Sequence, residues 1–165
     1  DNINPRARQA AIIGYYTGLR PFEICAVQAG DINHENLYRV RIAKSRKRAT
    51  TRRIAIPGVL SAHIINAGFT PMNRNTVGTC FERFRKQYPE YAGLRMETFR
   101  HNFSNMMRLA GVPRDTVDIH QGRITNVQDR NYNSDDPMFA VNVMRPWIAA
   151  VFDGADRAKF ALVRQ

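Results

Sequence analysis

The chain has 165 residues, 44% of them hydrophobic and 10% aromatic, which is enough for one globular domain with a substantial core and excludes an intrinsically disordered chain. Its 25 lysines and arginines outnumber 14 acidic residues, giving a formal net charge of +11. This excess favours a polyanionic partner, with nucleic acid first. No signal peptide, no apolar run of roughly 18 residues and no basic amphipathic helix is visible, so no membrane association is expected.

The first part of the chain predicts two helices and a hairpin. A largely apolar helix is expected over residues 5–18, ended by Gly18, and Pro21 suits the first turn of a short helix that reaches about Ala29. Two segments rich in β-branched residues follow and flank a polar turn, which predicts an antiparallel hairpin. Its strands are expected at 36–43 and 52–57.

The rest of the chain reads as helical. Helices are expected within 59–68, 73–91, 96–111, 112–122 and 137–154. The third of these has an apolar stripe formed by Phe99, Phe103, Met106 and Ala110. The last is expected to kink or break at Pro146. The predicted fold is therefore mainly α with a small antiparallel β-hairpin, an α+β arrangement in a single domain spanning residues 1–165.

The hairpin segment holds eight basic residues and no acidic one. They are Arg39, Arg41, Lys44, Arg46, Lys47, Arg48, Arg52 and Arg53. A solvated basic turn is one interpretation, but like charges crowded into one hairpin repel each other, and a phosphate backbone would relieve that repulsion. We therefore predict that this segment contacts DNA.

Several common sites have no sequence support. The four histidines show no metal-binding spacing, so no metal site is expected. Phosphate-binding glycine loops and the serine-hydrolase elbow are also missing. Cys25 and Cys80 are far apart in sequence and form no paired motif, which predicts buried free thiols in a reducing compartment.

Three short motifs carry the chemistry. TGLRPFE contains Arg20 and Glu23, ETFRHNF contains Arg100, and QGRITNVQDRNY contains Arg123 with Tyr132 nine residues later. In order and spacing this series resembles the catalytic domain of the tyrosine recombinases, the phage-integrase family. The resemblance spans residues 12 to 132. TGLR alone is a weak signal, but the whole series in this order is specific.

The resemblance assigns roles to individual residues. It implies that Arg20, Arg100 and Arg123 bind the scissile phosphate and that Tyr132 is the nucleophile. A hairpin lysine, Lys44 with Lys47 as a competitor, corresponds to the general acid. Glu23 corresponds to the acidic companion of the first arginine, and His101 to the histidine that often follows the second.

The chain departs from the family pattern at two positions. Glu97 stands where the family usually has a histidine three residues before the second arginine, and Arg123 stands where it usually has histidine or tryptophan after a glycine. An arginine still donates to a phosphate oxygen, whereas a glutamate can donate only when it is protonated. Glu97 is therefore an uncertain member of the predicted site.

These residues allow phosphodiester cleavage without a metal or other cofactor. Planar guanidinium groups make paired, charge-assisted hydrogen bonds to phosphate and stabilise the charge of the transition state. Lysine is suited to protonate the departing 5′-oxygen, and a tyrosine attack on phosphorus yields a 3′-phosphotyrosine that religates without ATP. Arg20 could alternatively be a structural partner of Glu23, and Arg100 could extend to solvent beside its apolar stripe.

The resemblance implies a DNA integrase of a virus or plasmid, acting on double-stranded DNA as a tetramer in the host cytoplasm. The apolar segment after Tyr132 either closes the chain's own core or docks on a neighbouring protomer through Phe139, Val143 and Trp147. A topoisomerase IB-like enzyme and an inactive DNA-binding module are the alternative functions. Because the chain opens without methionine, it is expected to be a fragment whose upstream DNA-binding domain is missing.

Overall fold

The computed structural model describes residues 4–42, 50–123 and 138–153. Helices α1 and α2 come first, and strands β1 and β2 then form a two-stranded antiparallel sheet. Five further α-helices follow within these ranges, so the predicted mainly helical fold with one hairpin is confirmed. The bounds are α1 Pro5–Thr17, α2 Pro21–Cys25, β1 Leu37–Ile42, β2 Thr50–Ala55, α3 Gly58–Asn66, α4 Arg74–Gln87, α5 Met96–Leu109, α6 Arg114–His120 and α7 Phe139–Ile148.

Local sequence signals explain the ends of the first two helices. Asn4 caps α1 by accepting a hydrogen bond from the backbone of Arg6 at 2.9 Å, and Gly18 ends α1 in the left-handed region with φ +60°. Pro21 opens α2, which ends at Cys25 and is shorter than predicted, because the chain leaves the helix at Ala26 and is extended at Gln28, before a separate 3₁₀ turn at Ala29–Asp31.

The hairpin separates an inner from an outer face. In the register Val40 lies opposite Arg52, and Arg39 lies opposite Arg53. Because side chains alternate across a strand, Val40 and Arg52 share the inner face with the buried Ile54. The outer face carries Arg39 and Arg53, so the sheet places some of its basic residues toward the core and others toward solvent.

The buried stripe of α5 differs from the predicted one. It consists of Met96, Arg100, Phe103 and Met107, whereas Ala110 is exposed. Both stripes have helical spacing, so periodicity alone did not separate them. The consequence concerns Arg100, which lies inside the stripe and is only 8% exposed. The interpretation that its side chain extends to solvent is wrong.

Helix α7 closes the core of its own chain. Four residues on one face are buried, namely Val141, Met144, Ile148 and Phe152. The ring of Phe152 lies 4.9 Å from that of Tyr16 on α1. The predicted break at Pro146 is wrong, because the helix continues to Ile148 and then widens into a π-helical turn.

The packing of α7 bears on the alternative in which this segment docks on a neighbouring protomer. Val143 and Trp147 are partly buried in the single chain, while the side chain of Phe139 lies outside the described part.

Cys25 is a buried free thiol, as predicted, whereas Cys80 is only partly buried. Within the described ranges, no helix is long and apolar enough to cross a membrane.

Candidate active site

Four arginines from separate elements meet at the end of α6. Arg20 precedes α2, Arg52 lies on the inner face of β2, Arg100 sits in the middle of α5, and Arg123 follows α6. We call Arg20, Arg52, Arg100 and Arg123 the arginine cluster. Three of its members were assigned to one site from the sequence, and the fold brings these three together.

Three consecutive backbone carbonyls hold three of these guanidinium groups. The pairs are Arg52 Nε with the carbonyl of His120 (3.3 Å), Arg100 Nη2 with that of Gln121 (2.8 Å), and Arg20 Nη2 with that of Gly122 (2.7 Å). The last carbonyls of a helix have no partner within the helix, and the negative end of its dipole attracts cations. The end of α6 therefore fixes the three side chains relative to one another.

Glu23 is a fully buried carboxylate that serves two of the arginines. It accepts two hydrogen bonds from the Arg52 guanidinium, at 2.6 and 3.1 Å, and one from the backbone N–H of Arg20 at 2.9 Å. The guanidinium of Arg20 is 3.7 Å away. The close partner of Glu23 is therefore Arg52. The alternative interpretation, in which Arg20 is the structural ion-pair partner of Glu23, corresponds only to the longer contact.

Arg52 is the residue whose position in the structure differs most from the predicted one. The sequence placed it with the DNA-contacting hairpin residues, but its side chain is only 15% exposed and points into the cluster. The bidentate contact with Glu23 compensates its buried charge. The alternation of side chains along β2 places Arg52 on the same face as the apolar Ile54. That alternation is the sequence signal that could have shown that Arg52 points inward.

Arg100 is anchored at both terminal nitrogens. Its Nη1 donates to the carbonyl of Gly18 at 2.9 Å, in addition to the Nη2 bond to the end of α6. Burial, followed by the charges of Arg20 and Arg123, lowers the pKa of Arg100 to about 10. The side chain is still protonated at neutral pH, and an anion placed among these groups would relieve the repulsion that lowers its pKa.

Two buried polar residues that no sequence motif indicated, His120 and Gln121, brace the cluster. A ring nitrogen of His120, Nε2, lies 3.0 Å from the carbonyl of Thr17, and the ring stacks on Phe103 at 5.1 Å. Gln121 donates to the carbonyl of Arg100 at 3.0 Å. Burial lowers the pKa of His120 to about 3, so its ring is neutral at pH 7.

Arg123 lies at the edge of the cluster and is about one third exposed. Its Nη1 is 3.4 Å from Oδ1 of Asp118 on α6. The other carboxylate oxygen of Asp118 is 3.6 Å from Nε of Arg114. The sequence offered no reason to select Asp118, because an acidic residue five positions before Arg123 belongs to no recognised motif.

The outer face of the hairpin retains an exposed basic surface. Arg39 and Arg41 each place Nη2 3.0 Å from the same oxygen of Asp31. Burial raises the pKa of Asp31, but hydrogen bonds from Arg41 and Arg39 outweigh it and lower the pKa. The prediction of an uncompensated basic hairpin is therefore wrong for Arg52, which pairs with Glu23, and only partly right for Arg39 and Arg41, which share the one carboxylate of Asp31. Arg53 is exposed beside them.

Two uncertain site residues lie elsewhere. Glu97 is half exposed in the first turn of α5, with an oxygen 3.9 Å from Arg74, and lines a groove of about 730 Å³ between α4 and α5. His101 is exposed on the same helix. In the described part of the chain, neither makes a hydrogen bond to the cluster.

The remaining predicted residues lie outside the described ranges. They are Lys44, Arg46, Lys47, Arg48 and Tyr132. Their roles stay predictions. Among the residues that are described, no three His, Cys, Asp or Glu side chains form a group able to hold a metal ion.

Solved structures share this architecture, although no protein-family model and no curated protein sequence matches the chain. The integrase from mycobacterium phage Brujita matches with a TM-score of 0.63 and 16% identity, over 99% of this chain and 57% of that one. The integrase of the Tn1549 transposon, solved in complex with transposon right end DNA, matches with a TM-score of 0.59 and 15% identity, over 100% of this chain and 61% of that one. The chain thus spans about three fifths of each.

These similarities establish the class of fold. The chain has the fold of the tyrosine-recombinase integrases, as the sequence resemblance predicted. At 15–16% identity the similarity concerns the fold alone.

Proposed function

We propose that this chain is the catalytic domain of a site-specific DNA recombinase that cuts and rejoins strands through a 3′-phosphotyrosine intermediate. The observation that carries the proposal is the cluster of four guanidinium groups around the end of α6, three of which are held by its backbone carbonyls. Two nearby carboxylates, Glu23 and Asp118, balance only part of this charge. A site with surplus fixed positive charge, assembled from four separate elements, is suited to a phosphodiester.

In the proposed reaction, arginine side chains donate hydrogen bonds to the scissile phosphate. Arg20, Arg100 and Arg123 would donate to its non-bridging oxygens, with Arg52 holding the cluster through Glu23. The hydroxyl of Tyr132 loses its proton to solvent water as its oxygen attacks phosphorus, and the bond from phosphorus to the 5′-oxygen breaks. Lys44, or its competitor Lys47, gives a proton to the departing oxygen. The phosphotyrosine keeps the ester bond energy, so the reverse attack by another 5′-hydroxyl rejoins a strand without a cofactor.

Double-stranded DNA is the proposed partner. A structural relative was solved in complex with transposon DNA, and the outer hairpin face offers the exposed arginines Arg39, Arg41 and Arg53 to a backbone. Exchange between two duplexes needs several active sites, so self-association on DNA, as a tetramer, belongs to the proposal. A DNA-associated location in the cytoplasm of the host cell follows from the same activity.

One observation favours a second candidate, an inactive DNA-binding module of the same fold. Glu97 occupies the position of a family histidine, is half exposed and faces Arg74 on α4. A site that lacks this donor binds a phosphate through its arginines but has less help for catalysis. The two candidates differ in one product, the covalent protein–DNA complex.

The test uses a nicked duplex carrying the cognate site, sought beside the source gene, in which loss of a short fragment traps the intermediate. Wild-type protein is expected to give an SDS-resistant band that Tyr132→Phe abolishes. Arg20→Ala is expected to reduce band formation by about 100-fold, the usual effect of removing a donor to the transition state. Tyr91→Phe, at an exposed tyrosine of the same chain, is the matched control and should leave the band unchanged.

Each result separates the candidates. A band that persists in Tyr132→Phe would exclude the proposed nucleophile. Salt-sensitive DNA binding with no band would favour the inactive module. Relaxation of supercoiled plasmid without strand exchange would favour the topoisomerase IB-like alternative.

A further inference from the structure

The chain reverses at the end of α6 in a Schellman motif. Gly122 has φ +65°, its N–H donates to the carbonyl of Ile119 at 2.9 Å, and the N–H of Arg123 donates to the carbonyl of Asp118 at 2.8 Å. This motif brings the side chain of residue 123 back beside residue 118. In most such motifs that contact is apolar. Here it is an ion pair between Arg123 and Asp118.

Asp118 has a second cationic neighbour on its other oxygen. Arg114, one helical turn earlier, places Nε 3.6 Å from Oδ2, while Arg123 places Nη1 3.4 Å from Oδ1. Both distances exceed the ~2.7–2.9 Å of a tight charge-assisted hydrogen bond. The carboxylate is 12% exposed, and the Arg114 side chain is 80% exposed. Because Asp118 has two cationic neighbours and holds neither tightly, one of them can leave while the other remains.

We propose that Asp118 is an exchangeable counter-ion: it pairs with Arg123 in the DNA-free protein and releases Arg123 to the phosphate when DNA binds, while Arg114 stays on Asp118. This inference rests on the proposed function and specifies how Arg123, which replaces the usual histidine or tryptophan, operates within it. It assigns a role to two residues, Asp118 and Arg114, that lie outside the predicted site.

The second arginine makes the exchange energetically feasible. A carboxylate as buried as Asp118 is costly without a cation, so Arg123 could not leave if it were the only partner. Arg114 lowers that cost and, being mostly exposed, loses little hydration by staying. In the DNA-free protein Asp118 in turn offsets the charge of Arg123, which lies close enough to lower the pKa of Arg100.

Inorganic phosphate is the probe, titrated at low ionic strength and followed by calorimetry and by the NMR signals of the arginine Nε–Hε groups. Asp118→Asn should tighten phosphate binding by about threefold to fivefold, since it removes the competitor for Arg123. Asp115→Asn removes the same charge from an exposed position of α6 and is the matched control. It should change the affinity by less than about 1.5-fold, because its charge is screened.

Arg114→Gln tests the inference in the opposite direction without disturbing the core. Without Arg114, Asp118 should retain Arg123, and phosphate affinity should fall by about threefold to fivefold. Arg108→Gln, at an exposed arginine of α5, is its control for loss of charge and should have a smaller effect. In an Arg123→Ala background both effects should disappear.

The outcomes separate this inference from the proposed function. If wild type binds phosphate but Asp118→Asn binds it equally or more weakly, Asp118 does not compete for Arg123 and the inference is overturned, while the proposed function stands. If the Asp118→Asn effect persists in Arg123→Ala, the inference is also overturned. If no variant binds phosphate through the cluster, both fail.

Discussion

At the scale of single residues, the site depends on buried polar groups with several partners each. Glu23 accepts from Arg52 and from the backbone of Arg20, and His120 contacts the carbonyl of Thr17 while its own carbonyl accepts from Arg52. Such groups are stable only when their partners are in place, because each has lost its hydration. The residues that bind no substrate in this scheme therefore determine where the arginines stand.

The buried ring of His120 predicts a specific pH dependence of stability. Its pKa is lowered from 6.5 to about 3 in the folded chain. Below about pH 6.5 the unfolded chain binds a proton here that the folded chain binds only near pH 3, so the stability supplied by the neutral ring is present above pH 6.5 and is lost as the pH falls. The free energy of unfolding should decrease by about 1.4 kcal/mol per pH unit from this residue alone.

Urea unfolding of wild type, His120→Gln and His101→Gln between pH 6 and pH 4 measures this slope. His120→Gln should flatten it by that amount, whatever its effect on stability at pH 7. His101 is exposed, so its variant should retain the wild-type slope. Equal slopes in wild type and His120→Gln would contradict the prediction.

At the scale of elements, the end of α6 organises the site. The left-handed Gly122 directs three carbonyls toward the arginines and folds Arg123 back onto the helix. A Cβ atom at Gly122 would lie 2.9 Å from Nη1 of Arg52 and 3.0 Å from its Cζ. Since Arg52 is held by Glu23 at two points, its guanidinium cannot move aside without losing that contact.

A pair of glycine substitutions separates backbone strain from this contact. Gly68 has the same left-handed backbone, with φ +60°, but a Cβ atom added there would have no neighbour within 4 Å among the described residues. Gly68→Ala should lower the free energy of unfolding by about 1 kcal/mol, the cost of the left-handed conformation. Gly122→Ala should cost about 2–3 kcal/mol, because it also displaces Arg52 from Glu23. Urea denaturation measures both, and equal losses would show that the contact with Arg52 is unimportant.

At the scale of the whole molecule, the fold arranges seven of the basic residues behind the net charge of +11 in two different settings. The cluster holds partly buried arginines against fixed carbonyls, and the outer hairpin face holds exposed ones. Exposed arginines that meet a DNA backbone release counter-ions and make binding sensitive to salt. The hairpin face should therefore contribute to affinity without contributing to sequence preference.

Arg53→Gln tests this division. It should weaken binding to a duplex of arbitrary sequence and lower the slope of log affinity against log salt by about one. Arg108→Gln, which removes the same charge at the end of α5, is the control and should leave the slope nearly unchanged. Fluorescence anisotropy with a labelled duplex at several salt concentrations gives both slopes. Equal changes would mean that net charge, not this face, governs binding.

The sequence alone determined the helical fold with one hairpin, the positions of most helix ends and three of the four arginines that the fold brings together. These follow from local signals, since glycine and proline punctuate the chain and spacing identifies which face of an element is apolar. It did not place Arg100 inside the buried stripe of α5, because Phe99 and Met106 make a neighbouring stripe of equal periodicity. It also showed no reason to expect Arg52 beside Glu23.

Only the tertiary structure decided which charges meet. The backbone carbonyls that hold the cluster lie 21 to 102 residues away from its arginines in sequence, as Arg100 with Gln121 and Arg20 with Gly122 illustrate. Ion pairs such as Arg52 with Glu23 leave no periodic signal. The neutral state of His120 likewise depends on burial by elements that are distant along the chain. Local patterns specify elements because neighbouring residues create them, whereas a site of buried charges exists only after packing has excluded water and brought its members together.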